Sequence, residues 1–106
     1  MCIRDRYYIY EQATRKLPAY MICHERLLEL KYEDETCHTE LYQTARCYLE
    51  LHQSIARTSE ALFIHRSTLL YRLDKIRNIL KTDFSDPQEL LYLLLSFYLI
   101  DMEERH

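Results

Sequence analysis

The chain of 106 residues has no glycine and only two prolines, Pro18 and Pro87. Soluble domains average about 7% Gly and about 5% Pro. Tight hairpins need residues at positive φ, which Gly supplies, and phosphate-cradling loops need Gly outright. The deficit therefore argues against a β-sandwich, a small barrel, a dinucleotide-binding βαβ unit and a P-loop. What remains is an all-α fold, read here as a small bundle of about five helices. Long apolar runs are missing too. The stretch from Leu90 to Ile100 is too short for a bilayer, which takes about 20 residues, and no apolar signal segment begins the chain. Both absences point to a cytoplasmic protein with no membrane partner.

The four cysteines, Cys2, Cys23, Cys37 and Cys47, form no C-x-x-C pair. Cys23-His24 and Cys37-His38 are adjacent rather than spaced as zinc ligands are. Free thiols, no metal and no cofactor are expected. No nucleophile and base sit at a spacing that suggests catalysis, and the carboxylates fall on exposed faces or caps, so an enzyme is not expected.

Apolar periodicity locates the helices. Met21, Ile22, Leu27, Leu28 and Leu30 mark one over residues 19–30. Residues 31–38 are polar and read as a connection. Thr39 is the N-cap expected for a helix with Leu41, Tyr42, Ala45, Tyr48 and Leu49 on one stripe, reaching His52 at its end. Ser54 opens a short helix to about Leu62. After Phe63-Ile64 a further helix begins near His65 or Arg66 and runs to about Leu80, with Leu69, Leu73, Ile76 and Leu80 inward. Asp86-Pro87-x-Glu89 has the form of a capping box with Pro at the first helical position, opening a last helix to about Met102. That helix is apolar nearly all round, so it needs cover on more than one side. Tyr7-Tyr8-Ile9-Tyr10 is β-prone and reads as a strand end or a strap. His24, His38 and His52 read as surface histidines.

Charge is uneven. The net value of −3 hides a basic segment. Residues 52–81 carry Arg57, Arg66, Arg72, Lys75, Arg77 and Lys81 against Glu60 and Asp74, a net +4, whereas residues 1–51 sum to −2 and residues 82–106 to −5. Clustered cations on one element are the electrostatic footprint of nucleic-acid binding. That segment also holds two helices joined by a very short break, the pattern of a helix-turn-helix. Ser59 is the small residue expected where the helices cross, and Leu62 and Ile64 bracket the turn. The second helix then presents Arg66, Ser67, Leu70, Tyr71 and Asp74 outward, with Thr68 and Arg72 on a flank. In this geometry the helix start enters the major groove. Arg66 suits guanine O6/N7, Ser67 and Tyr71 base edges or sugar, and Thr68 and Arg72 phosphates. His65 caps this helix, meets a phosphate, or is simply a packed turn histidine. Ser54, Arg57 and Lys75 complete the candidate DNA-contacting set.

Residues 65–73, His-Arg-Ser-Thr-Leu-Leu-Tyr-Arg-Leu, preceded by Ala61-Leu62-Phe63-Ile64, resemble the L-x-I-H-R-N-T-L-x-Y-R-L signature of the PucR/CdaR family of bacterial transcription regulators. Residues 39–49 are similar to that family's T-E-L-x-x-T-L-x-x-Y-L helix, and residues 83–87 to its D-L-x-D-P linker. The resemblance implies a C-terminal DNA-binding domain spanning residues 24–106, with Arg66, Ser67, Thr68, Tyr71 and Arg72 at double-stranded DNA. It also implies a homodimer or higher homo-oligomer in the full-length protein, and a small-molecule effector bound by an upstream region. Residues 7–23 read as the tail of a preceding domain and residues 1–6 as a non-native scar. Three positions depart from the family pattern. Ser67 stands where Asn is usual, Ser59 where Ala is usual, and the Gly after the second helix is replaced by Leu80-Lys81-Thr82. The turn position where Gly often sits is Phe63. The other reading is a helical interaction module that uses the apolar last helix and has no DNA role.

Overall fold

The computed structural model describes residues 3–105. Seven helices are present among them: α1 (Ile3–Ala13), α2 (Ala19–Ile22), α3 (Glu25–Cys37), α4 (Leu41–Glu50), α5 (Ile55–Leu62), α6 (Arg66–Leu80) and α7 (Pro87–Arg105). No strand occurs among the described residues. The all-α expectation holds, with two helices more than the five read from periodicity. The segment 1–6 read as a scar falls partly on Met1 and Cys2, outside the described residues, and residues 3–6 open α1.

The additional helices have physical causes. Tyr7–Tyr10 is helical rather than a strand or strap. Tyr10 packs against the core and its hydroxyl donates to Glu103 of α7. Docking on α7 overrides the β-propensity of the aromatic run. The helix expected over residues 19–30 is broken at Cys23 and His24. Both hold extended ψ there, and the His24 N–H donates to the buried Ser96 Oγ at 2.8 Å instead of continuing a helical ladder. His24 is therefore buried between helices, not a surface histidine, and its ring lies 5.3 Å from that of Tyr92. Met21 is 58% exposed and not part of the core.

Residues 31–37 continue α3 rather than forming a connection. Lys31 pairs with Glu35 one turn on and with Glu104 of α7, and Thr36 bonds back to the Tyr32 carbonyl. Thr39 is not the cap of α4. The cap position is Glu40, and the capping acceptor is Asp34 of α3. Before α7, Asp86 accepts from the Gln88 amide at 3.0 Å, one residue earlier than expected. Glu89 lies 3.9 Å from His24 Nε2 instead of closing a capping box.

The core joins all these elements. Leu27 and Leu30 of α3, Leu41, Ala45, Tyr48 and Leu49 of α4, and Leu69, Leu73, Ile76 and Leu80 of α6 pack with Leu93, Phe97, Leu99 and Ile100 of α7. α4 is the central element, touching α3, α5, α6 and α7. α6 rests on α3, α4 and α5. Its inward stripe is sealed, since Leu69, Leu73 and Ile76 are each 0% exposed. Fixing α6 on one side by four apolar residues leaves its opposite face free.

Without glycine, the chain makes its turns with other residues. His38, Glu40, His52, Gln53, Phe63, Lys81 and Phe84 all take φ between 55° and 63°. For residues with a Cβ this left-handed conformation costs roughly 1–2 kcal/mol. The helix packing on either side must hold each one in place.

Candidate nucleic-acid interface

α5 and α6 form a helix-turn-helix. Ser54 caps α5, its hydroxyl accepting from the Arg57 amide at 3.2 Å. Thr58, rather than Ser59, is the fully buried small residue of α5. Ser59 is half-buried and its hydroxyl returns to the Ala56 carbonyl. The turn takes three residues. Phe63 adopts φ 56° and its N–H closes on the Glu60 carbonyl, while the Ile64 N–H closes on that of Ser59. The turn keeps the left-handed geometry that usually selects Gly, and a side chain is accommodated because it points wholly outward. Phe63 is 95% exposed.

His65 caps α6. Its Nδ1 accepts from the Ser67 amide at 3.1 Å and lies 2.8 Å from the Ser67 hydroxyl. Accepting at Nδ1 places the neutral ring's proton on Nε2. Beyond the cap, α6 runs with Leu69 and Leu73 inward. Arg66, Ser67, Thr68, Leu70, Tyr71, Asp74 and Lys75 are exposed. The helix turns about 100° per residue, so Ser67, Tyr71 and Asp74 form the centre of the outward face. Among the described residues, nothing engages the side chains of Arg66 or Thr68. The Lys75 ammonium sits 5.0 Å from the centre of the Tyr71 ring. A hydrogen bond to Tyr71 raises Lys75 above the ordinary lysine value.

Arg72 differs from the other candidates. It is half-buried on the flank of α6 that faces α4. One guanidinium nitrogen donates to Thr44 Oγ1 at 3.1 Å and another to the Glu40 carboxylate at 3.5 Å. Thr44 is fully buried, and its hydroxyl in turn donates to the Glu40 carbonyl at 2.8 Å. Periodicity put Arg72 on the flank but gave no sign of these partners, which lie 28 and 32 residues upstream. Nor did it show Asp34, whose carboxylate anchors the start of α4 beneath them.

α6 ends at Leu80. The Lys81 and Thr82 N–H groups both close on the Arg77 carbonyl, with Lys81 at φ 55°. The missing Gly neither lengthens the helix nor prevents its usual termination. No helix of the described residues is long and apolar enough to cross a membrane.

Comparison with known proteins agrees with this geometry. The PucR C-terminal helix-turn-helix domain family matches residues 41–99. The chain is 35% identical over 72 residues to the purine catabolism regulatory protein of Bacillus subtilis (strain 168), covering 68% of this chain and 13% of that protein. It is 37% identical over 71 residues to the proline-responsive transcriptional activator PutR of the same organism, covering 67% of this chain and 17% of that protein. The chain thus spans only a small part of the length of either relative. No solved structure matches it significantly. With more than half its residues matched to the family and α5, turn and α6 in place, the chain belongs to the PucR C-terminal helix-turn-helix family and is a DNA-binding domain of a transcription regulator.

Proposed function

We propose that the domain binds duplex DNA sequence-specifically, with the N-terminal half of α6 in the major groove. The observation that carries this reading is the outward face of α6, where Arg66, Ser67 and Tyr71 are exposed above a sealed apolar stripe. Arg66 can read guanine, and Ser67 and Tyr71 base edges or sugar. We assign Thr68, Lys75, Arg57, the Ser54 hydroxyl and the Nε2–H of His65 to phosphates, which fix register without reading sequence. In the full-length protein we propose a cytoplasmic homodimer or higher homo-oligomer that sets two α6 helices about 34 Å apart. The names of the two relatives, one of purine catabolism and one proline-responsive, support regulation by a small metabolite. We propose that an upstream region binds it.

The interaction-module reading has one observation in its favour. Leu91, Leu94 and Leu95 of α7 remain 40–69% exposed. A salt titration decides between the two. On a fluorescein-labelled random-sequence duplex, affinity should fall steeply with salt, and Lys75→Ala should reduce the log–log slope by about 0.9. Selection from random duplexes should then enrich a defined sequence. A flat salt response, or no duplex binding, would leave the interaction module standing.

A further inference from the structure

We infer that Arg72 is a positioning residue that sets the pose of α6 on α4, not a phosphate contact. The inference rests on the reading of α6 as the DNA-reading helix. Of the six cationic side chains in the basic segment, Arg72 is the one that hydrogen-bonds to another helix among the described residues. The guanidinium is planar and carries its donors in a fixed fork. Here that fork spans the Thr44 hydroxyl and the Glu40 carboxylate, both in the first turn of α4 or at its cap. The Thr44 partner matters more. Its hydroxyl is fully buried and already donates to the Glu40 carbonyl, so its remaining lone pairs are satisfied by Arg72. The Glu40 carboxylate is 74% exposed at 3.5 Å, where screening leaves an ion pair worth little.

The chain of support extends further. Asp34 of α3 accepts the Leu41 and Tyr42 amides, each at 2.7 Å, and so holds the same turn of α4 that Arg72 grips. α3, the start of α4 and the middle of α6 are thereby tied at one point. Arg72 lies about 100° around α6 from its neighbour Tyr71. Rotating or lifting α6 at Arg72 would therefore displace Tyr71 and Ser67 at a DNA surface. Sites of this kind need their supporting residues held to within about 0.5 Å. Turning Arg72 toward a phosphate would strip the buried Thr44 hydroxyl of a partner, a penalty that a solvent-exposed cation such as Arg66 does not carry.

The test separates position from charge. Binding to the labelled duplex is measured across a salt series, with circular dichroism confirming that each variant is folded. Arg72→Ala should weaken binding about tenfold while leaving the log–log salt slope at the wild-type value, whereas Lys75→Ala lowers that slope. Arg72→Lys should not rescue, because an ammonium lacks the fork. Thr44→Val, which keeps the shape of a fully buried side chain and removes only the hydroxyl that Arg72 holds, should also weaken binding at constant slope. In a double-mutant cycle Thr44→Val and Arg72→Ala should be strongly non-additive. A slope drop of about 0.9 in Arg72→Ala, rescue by Lys, or unchanged binding in Thr44→Val would overturn the inference. If Arg72→Ala does not fold, Thr44→Val and Arg72→Lys decide it alone. Failure of the wild-type domain to bind any duplex would overturn the DNA reading first, and that outcome is distinct from these.

Discussion

The Asp34 carboxylate accepts the backbone N–H of Leu41 at 2.7 Å, so a residue near the end of α3 caps the start of α4. A second bond, to the Tyr42 amide, has the same length. Both donors would otherwise be orphaned at a helix N-terminus. The positive end of the helix also favours the charge. Asp34→Ala should therefore destabilise the domain by about 2 kcal/mol, read as a lower urea midpoint at unchanged m-value. A loss below about 0.5 kcal/mol, within the range of ordinary surface changes, would show that the cap is not needed.

The turn of the helix-turn-helix offers the opposite effect. Phe63 holds φ 56° and is 95% exposed, so its side chain gains almost no burial while its backbone is strained. Gly reaches this conformation without a Cβ clash. Phe63→Gly should stabilise the domain by about 1 kcal/mol, a rise in Tm of roughly 4–8 °C for a domain of this size. A fall in Tm would show that the exposed ring makes a contact that the geometry does not reveal.

Much of this architecture was legible in the residues, and the rest fails for identifiable reasons. The inward stripe Leu69, Leu73, Ile76, Leu80 is a local 3.6-residue pattern, and all four are buried. Ser54 and the His65 option were legible as caps because capping acts across two or three residues. Thr39 was misread because its helix is capped from another helix, by Asp34, and no local pattern encodes that. Residues 31–37 looked like a connection because their face is polar. They are helical, with Lys31 paired to Glu35 one turn on and to Glu104 of α7. Arg72 fell on the right flank, but its partners Thr44 and Glu40 depend on how α4 meets α6.

Ser96 is the polar residue at the centre of an apolar helix. It is fully buried, and its hydroxyl accepts the His24 N–H at the break between α2 and α3. Ser96→Ala would leave that N–H buried without a partner. The expected cost is about 2 kcal/mol, measured by chemical denaturation. A neutral substitution would mean that the break at His24 has another source of support.

Cys23 gives the pH dependence its sign. It is buried against α7, and its Sγ donates to the Ser96 carbonyl at 3.8 Å. Burial, with the charge of Glu103 adding, pushes its thiol from the ordinary 9.0 up to about 11. An acid raised in the folded state favours folding while both states are protonated. Its contribution is therefore fully present below pH 9.0 and is lost as pH rises through about 11, because the unfolded chain ionises first. Wild type should lose stability across that window relative to Cys23→Ala, in which the other groups titrating there are unchanged. At pH 8 the exposed Cys37 should react readily with a thiol reagent, while Cys23 stays protected until the domain unfolds. Parallel stability profiles for wild type and Cys23→Ala between pH 9 and 11, or equal labelling of the two thiols, would place Cys23 in contact with solvent and contradict its position beneath α7.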